Sequence, residues 1–241
     1  MNINQEFFLN GFIVGQFKKS KTLNKLNQIL YDIKNEKIES GYRLESKYKG
    51  TLDLRPNIFS YSDVFTDILF ENKIPELINN ISTRDNICFH IQLRKTLPSK
   101  TSYMRIHRDS YLKSNRVIGN IPPPIKLIYY PSFDDIQVNQ LQVKVGSHIK
   151  FYKNYYLDNL INSFGKSFNI KSSNNQFLIF NTMIYHKIFP EKLINGSMRL
   201  IYSFGTQDYN KKYPDSKHLI DKYIQNRGEI PFACKNTIVN D

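Results

Sequence analysis

The spacing of apolar residues changes once along the chain, and this change limits the possible folds more than any other feature. From Ser20 to Lys37, apolar residues recur every three or four positions, which is typical of an amphipathic helix. A second helical pattern runs from about Tyr61 to Ile81 and is interrupted near Pro75. From about residue 85 onward, the pattern is that of short strands separated by turns. The predicted strands are Ile87–Leu93, Pro124–Tyr130, Gln140–Val145, Gln176–Asn181 and Met198–Gly205.

Helices placed ahead of strands predict an α+β fold in which helices cover one face of an all-β core. The 241 residues contain no internal repeat or long linker, so the sequence predicts a single domain over residues 1–241. We expect a helical part at roughly 18–82, a β core at roughly 85–206, a helix between strands at Tyr155–Phe164, and a terminal helix at roughly 215–226.

Charge and cysteine content narrow the class of protein. Lys and Arg number 34 against 21 Asp and Glu, and this net charge of +13 favours an anionic partner. The cations are mostly Lys without a dense cluster, so we expect no nucleic-acid partner. Cys88 and Cys234 cannot build a framework of disulfides, which predicts a reducing compartment. No stretch has the pattern of a signal peptide or membrane span, so we expect a cytoplasmic protein (in the host cytoplasm if viral) without a membrane partner. The sequence leaves the oligomeric state open.

The first predicted strand has one apolar and one polar face. Side chains alternate along a strand, so Phe89, Ile91 and Leu93 share one face, and His90, Gln92 and Arg94 share the other. The apolar face is expected to meet the helices. The polar face then meets either solvent or a polar cavity.

Three residues form a candidate metal site. His107 and Asp109 lie two residues apart, so on extended backbone both can reach one ion, although a surface His beside a solvated Asp has the same spacing. His186 follows an apolar strand, and Arg199, thirteen residues later, is the single charge in the next. Two His and one carboxylate form the facial triad of non-haem Fe(II) oxygenases. A buried guanidinium requires an anion, and its planar fork suits a carboxylate.

With these residues the chain resembles the phytanoyl-CoA dioxygenase-like branch of the Fe(II)/2-oxoglutarate oxygenases, over roughly residues 5–206. The specific features are the H-x-D motif, a Gly-Ser-His turn ending at His148, and the spacing from His186 to Arg199. We expect His148 to order the cavity wall through a hydrogen bond rather than bind the metal. The similar segments are Asn10–Val14, Leu141–His148, Gln176–Asn181 and Met198–Phe204.

The resemblance implies a double-stranded β-helix (a cupin-like jelly roll) with the N-terminal helices packed on its outer face. It implies that His107, Asp109 and His186 bind Fe(II) and that Arg199 binds the distal carboxylate of 2-oxoglutarate, which is consumed together with O₂. An intact Asp109 argues for oxygen insertion or desaturation rather than halogenation, because halogenating relatives lack this carboxylate.

The chain departs from the family pattern beside the second histidine. The family often has a small hydroxylated residue two places after this histidine, where the chain has Ile188. The candidates to assist Arg199 instead are Ser203, on the same strand face, and Lys126, on a neighbouring strand. Further candidate contacts are Gln92 for the co-substrate, and Arg94, Arg105 and Arg108 for an anionic substrate.

The sequence therefore predicts a 2-oxoglutarate-dependent dioxygenase that hydroxylates a small molecule, an anion being one option, and releases succinate and CO₂. One alternative is a nucleic-acid demethylase of the same superfamily. That class resembles the chain in its metal motif but carries another Arg six places after the clamp, where this chain has Gly205. The other alternative is a jelly-roll binding protein without redox chemistry. A measurement of metal content distinguishes this alternative from an oxygenase.

Overall fold

The helices lie mainly in the first third of the chain and the strands mainly in the rest, as the change of spacing predicts. The computed structural model describes residues 2–35, 43–45, 51–54, 62–82, 84–96, 105–109, 123–131, 139–150, 152, 154–171, 175–188 and 197–206. The helices are α1 (Ile3–Asn10), α2 (Lys21–Lys34), α3 (Val64–Glu71), α4 (Ile74–Ser82) and α5 (Tyr155–Ser163). The strands are β1 (Phe12–Gln16), β2 (Arg43–Glu45), β3 (Thr51–Leu54), β4 (Ile87–Thr96), β5 (Ile125–Tyr129), β6 (Asn139–Lys144), β7 (Ser167–Lys171), β8 (Gln176–Asn181), β9 (His186–Ile188) and β10 (Ser197–Gly205).

Helix α2 forms where the apolar residues have helical spacing. The Ser20 hydroxyl caps its N-terminus by accepting a hydrogen bond of 3.1 Å from the Leu23 N–H. Leu23, Leu26, Leu30 and Ile33 form its buried stripe. Leu26 and Leu30 are fully buried, and each such burial contributes about 1.5–3 kcal/mol to stability.

The second helical pattern forms two helices, α3 and α4. The break lies at Asn72 and Lys73, just before the predicted position at Pro75. Lys73 adopts a left-handed φ of 54°. Pro75 lies in the first turn of α4, where its missing N–H costs no helical hydrogen bond. The predicted break near Pro75 is therefore confirmed, and the left-handed Lys73 rather than the proline marks it.

The strands form two antiparallel sheets. The large sheet has the order β1-β8-β5-β10-β4-β3-β2, and the small sheet has the order β7-β6-β9. All five predicted strands are present, β8 with the predicted bounds. Strands β1, β2, β3, β7 and β9 were not predicted.

The two faces of the large sheet have different partners. On one face, residues such as Leu93 and Leu200 join the buried residues of α2, α3 and α4 in one apolar core. On the other face, Ile128 and Ile201 pack with Leu141 of the small sheet in a second core. The two sheets therefore pack face to face, and the polar face of β4 points away from the helices.

The predicted α+β class is confirmed, while the described strands form two packed sheets rather than a closed barrel. The predicted terminal helix at 215–226 lies outside the described residues. Among the helices that the structure describes, none has the length and apolar character needed to cross a membrane.

Candidate metal centre

The two histidines and the aspartate converge on one point. One donor atom from each of His107, Asp109 and His186 lies within 4.8 Å of the other two. The Nε2 atoms of His107 and His186 lie 3.3 Å and 3.7 Å from Asp109 Oδ1. The three donors thus surround a volume that a single ion would fill.

Backbone hydrogen bonds hold the two ligand-bearing segments together. His107 and His186 form an antiparallel bridge in which each N–H donates to the other residue's carbonyl oxygen at 2.9 Å. The Asp109 N–H donates to Thr182 O at 3.0 Å. These bonds place residues 105–109 alongside the start of β9, so the H-x-D motif faces the third ligand.

Each histidine is held in the tautomer that a metal ligand needs. His107 Nδ1 lies 2.9 Å from Arg105 O, and His186 Nδ1 lies 3.1 Å from Ile184 O. A carbonyl oxygen only accepts hydrogen bonds, so each Nδ1 carries a proton and donates it. Nε2 of each ring, the atom left to bind a metal, then faces Asp109, an arrangement typical of metal-binding histidines.

The local charges favour metal binding at neutral pH. Burial lowers the pKa of His186 to about 4, so its imidazole is neutral. Burial raises the pKa of the Asp109 carboxyl. The Lys126 ammonium and the two imidazoles together lower this pKa by a larger amount, so it lies well below its usual value. Lys126 Nζ lies 2.8 Å from Asp109 Oδ2, and the two side chains are 25% and 23% exposed. A neutral imidazole and an ionised carboxylate are the forms that bind a metal.

The donor set fits Fe(II). Two imidazole lone pairs and a carboxylate oxygen that share so small a volume repel one another unless a cation lies between them. Mixed nitrogen and oxygen donors suit a first-row transition metal, whereas Ca²⁺ and Mg²⁺ prefer oxygen alone. Three protein ligands also leave coordination positions open for a co-substrate.

The ligands lie on the wall of a cavity of about 560 Å³ between the two sheets. This volume is within the range of about 300–1,000 Å³ that small-molecule sites occupy. Among the described wall residues, five are basic and only Asp109 is acidic. The basic wall residues are Arg94, Arg105, Arg108, Lys126 and Arg199.

Two residues of the polar face of β4, Gln92 and Arg94, line this cavity. Arg199 on β10 is 2% exposed, and the strand register pairs it with Arg94 of β4. Gln92 of β4 pairs with Ile201 and also lines the wall. Arg105 is exposed and belongs to the same cavity. The structure thus brings these predicted residues to one site.

Ser203 and Lys126, the predicted assistants of Arg199, lie farther along the sheet. They pair with each other between β10 and β5, and four residues of strand, roughly 13 Å, separate Ser203 from Arg199. Ser203 is buried, and the described cavity wall does not include it. The same register, extended by one residue, brings Tyr130 opposite Arg199. Sequence reasoning missed Tyr130, although the alternation along β5 places it on the same face as Lys126.

Arg108 is unavailable to a substrate, contrary to the prediction. Its side chain is completely buried, and each of its five N–H groups has an acceptor. Two donate to the Asp158 carboxylate at 2.9 and 3.0 Å. The others donate to Ser147 O at 2.8 Å, to Lys150 O at 2.9 Å and to Met183 O. Arg108 therefore joins neighbouring segments of the fold.

The Gly-Ser-His turn supports the third ligand without contributing one. Gly146 adopts a left-handed φ of 70°. The Ser147 hydroxyl accepts a hydrogen bond of 2.8 Å from the Tyr185 N–H, next to His186 in sequence. His148 Nε2 donates to Phe8 O of α1 at 2.9 Å. The expected hydrogen bond of His148 is present, but it fixes α1 and not the cavity wall.

Comparison with known proteins shows the fold. No protein-family model and no curated protein sequence matches the chain. HygX from Streptomyces hygroscopicus, crystallised with nickel, 2-oxoglutarate and hygromycin B, matches with a TM-score of 0.63 and 15% identity over 83% of this chain and 85% of that chain. AviO1 from Streptomyces viridochromogenes Tue57 has a TM-score of 0.58 and 13% identity over 85% and 93% of the two chains. SnoK, a non-haem α-ketoglutarate-dependent carbocyclase from nogalamycin biosynthesis, has a TM-score of 0.61 and 8% identity over 87% and 88%. The predicted resemblance to 2-oxoglutarate-dependent oxygenases is thus confirmed at the level of the fold.

Proposed function

We propose that the protein is an Fe(II)- and 2-oxoglutarate-dependent dioxygenase that hydroxylates a small anionic molecule. The observation that carries this proposal is the convergence of His107, Asp109 and His186 within 4.8 Å, on the wall of a basic cavity. The similarity to HygX, crystallised with nickel and 2-oxoglutarate, supports the choice of co-substrate. The face-to-face sheets with a site between them support a double-stranded β-helix as the core.

The three ligands would hold the iron through two nitrogen atoms and one carboxylate oxygen. Bound there, Fe(II) supplies the activation of O₂ that couples decarboxylation of 2-oxoglutarate to oxidation of a substrate C–H bond. One oxygen atom enters succinate and the other enters the hydroxylated product, and CO₂ leaves.

The cavity residues bind and orient the two organic molecules. Arg199 offers two parallel N–H donors, which suits it to bind the distal carboxylate of 2-oxoglutarate. The candidate assistants are Tyr130, opposite Arg199 when the register is extended by one residue, and Gln92, which pairs with Ile201 two residues further along β10. Arg94 and Arg105 add positive charge that would orient an anionic substrate, while the surrounding apolar wall excludes water.

Asp109 occupies the position that halogenating relatives leave open, which favours oxygen insertion or desaturation, and of these two we assign hydroxylation as the default. The structural neighbours include an epimerase, SnoN, and a carbocyclase, SnoK, so the fold alone does not select hydroxylation. The product must therefore be identified directly.

The experiment is a coupled assay on iron-loaded protein. Succinate release is measured with 2-oxoglutarate, O₂ and a panel of small carboxylates, phosphates and their neutral analogues, and the mass of each product is determined. We expect an anion to stimulate succinate release and gain one oxygen atom, and His186→Ala to abolish both. Loss of methyl groups from N-methylated oligonucleotides would instead support the demethylase. A wild-type chain that binds neither Fe(II) nor Ni(II) would support a non-redox binding protein.

A further inference from the structure

The carboxylate of Asp158, on α5, is tied to both segments that carry the proposed metal ligands. Asp158 Oδ2 accepts hydrogen bonds from Arg108 Nε at 2.9 Å and from the Tyr185 hydroxyl at 3.0 Å. Arg108 is the central residue of the H-x-D motif, and Tyr185 directly precedes the second histidine ligand. A single buried carboxylate therefore connects the two parts of the site.

Asp158 is itself held rigidly. Its Oδ1 accepts hydrogen bonds from Arg108 Nη2 at 3.0 Å, from Asn162 Nδ2 at 3.0 Å and from the Tyr152 N–H at 3.1 Å. The guanidinium carbon of Arg108 lies 4.3 Å from the centre of the Tyr185 ring, so the cation also packs on this aromatic face. With so many contacts on each partner, the ion pair has little freedom to rearrange.

The side chains that α5 buries show which contacts hold this helix against the rest of the protein. A surface helix normally buries its apolar stripe. Helix α5 instead buries Asp158 and Asn162, one turn apart, while Tyr156 and the adjoining Phe164 are 83% and 82% exposed. The polar network, more than apolar burial, therefore docks α5 beside the site.

We infer that Asp158 is a positioning residue for the metal centre. By holding Arg108, it fixes the backbone between His107 and Asp109 so that both ligands face His186. Without the carboxylate, Arg108 would be a buried cation without its counter-ion, and the segment would leave its present position. Metal binding would then have to reorder the ligands. The inference rests on the proposed function and extends it to a residue outside the ligand set.

The test compares metal binding by the wild type and by Asp158→Asn, which keeps the size of the side chain but removes its charge. Binding of Ni(II) is measured by calorimetry, and the visible absorption of bound Co(II) reports the geometry of the ligands. We expect the Kd for Ni(II) to rise by about tenfold or more, as for other outer partners of metal ligands, and the Co(II) bands to shift.

Leu26→Ala is the matched control for a purely structural effect. It removes a fully buried side chain from the core between the helices and the large sheet, away from the cavity. We expect it to lower the unfolding midpoint while leaving the Ni(II) affinity and the Co(II) spectrum unchanged.

The double variant Arg108→Met/Asp158→Leu separates stability from positioning. Removing both charges avoids a buried cation without its counter-ion, so we expect a higher unfolding midpoint than that of Asp158→Asn. The Ni(II) affinity should still fall, because the contacts to Tyr185 and to the carbonyl oxygens are lost. This double variant also replaces Asp158→Asn in the metal-binding test if Asp158→Asn does not fold. Tyr185→Phe, which removes one hydrogen-bond donor to Asp158, is tested if neither of these variants folds. It should show a smaller loss of Ni(II) affinity.

Wild-type Ni(II) affinity and an unchanged Co(II) spectrum in a folded Asp158 variant would overturn the positioning role and leave the proposed function intact. If only Tyr185→Phe folds, wild-type values in that variant would do the same. A wild-type protein that binds neither metal would refute the proposed function, and the inference with it.

Discussion

Replacement of Arg199 offers a direct test of the co-substrate site. Arg199 is buried on the cavity face of β10, and the proposal gives it two hydrogen bonds to the distal carboxylate of 2-oxoglutarate. Each hydrogen bond to a charged group contributes about 1.5–3 kcal/mol. Arg199→Lys keeps the charge but loses the fork, so the Kd for 2-oxoglutarate should rise by roughly 10- to 150-fold. Arg199→Met loses both bonds and the charge, so its Kd should rise further.

Ligand-induced stabilisation measures this change without turnover. At a concentration 100 times its Kd, 2-oxoglutarate should stabilise the Ni(II)-loaded wild type by about 2.7 kcal/mol. For a chain of this size, that corresponds to a rise in Tm of roughly 5–11 °C. At the same concentration, Arg199→Lys should retain a fraction of the rise, and Arg199→Met should show about 1 °C or less. Ni(II) affinity should be unchanged in both. An equal rise in Tm for the wild type and Arg199→Met would refute the assignment.

Three further predictions concern the metal centre and the fold. His107→Ala and His186→Ala should each abolish Fe(II) binding in calorimetry, and wild-type affinity in either would remove that residue from the site. Lys126→Met should lower the Kd for Ni(II) at neutral pH, because the ammonium 2.8 Å from Asp109 Oδ2 repels a bound cation and competes with it for the carboxylate, and an unchanged Kd would contradict this. Gly11→Ala should lower the free energy of unfolding, measured in urea, by about 1–3 kcal/mol. Gly11 has a left-handed φ of 83°, and an added Cβ would lie 2.4 Å from the buried Nδ1 of His148. Unchanged stability would show that the turn relaxes at no cost.

The parts of the fold that the sequence predicted are those with a strong local signal. The stripe of α2 and the alternation in β4 and β10 depend on spacing alone, so both the elements and their buried faces could be predicted. Strand β9 has three residues, too few for a pattern to appear, and β1 is interrupted by Gly15. Their place in the sheets depends on pairing with distant strands, which local spacing does not report.

The prediction of the site was limited in the same way, because local spacing does not report contacts with distant residues. The H-x-D spacing predicted that His107 and Asp109 face one point, because two residues of extended backbone determine this locally. The partners of charged residues depend on the whole fold. Lys126 was expected beside Arg199 but contacts Asp109, because the register pairs it with Ser203. Sequence reasoning did not predict the network of Arg108, because the burial of Asp158 and Asn162 on α5 is set by the fold and not by local spacing.

The pairing of Arg108 with Asp158 changes the charge that the cavity presents to a ligand. Asp158 neutralises Arg108, so the charge of this residue does not act on a ligand. The described wall then has four cations against one carboxylate, and an Fe(II) ion would add two positive charges. The two negative charges of 2-oxoglutarate leave this balance clearly positive. An anionic substrate would lower the remaining repulsion among the cations, whereas a neutral substrate would leave it in place. The KM of an anionic substrate should therefore rise with ionic strength while that of its neutral analogue stays constant, and equal salt dependence would show that the basic wall serves the co-substrate alone.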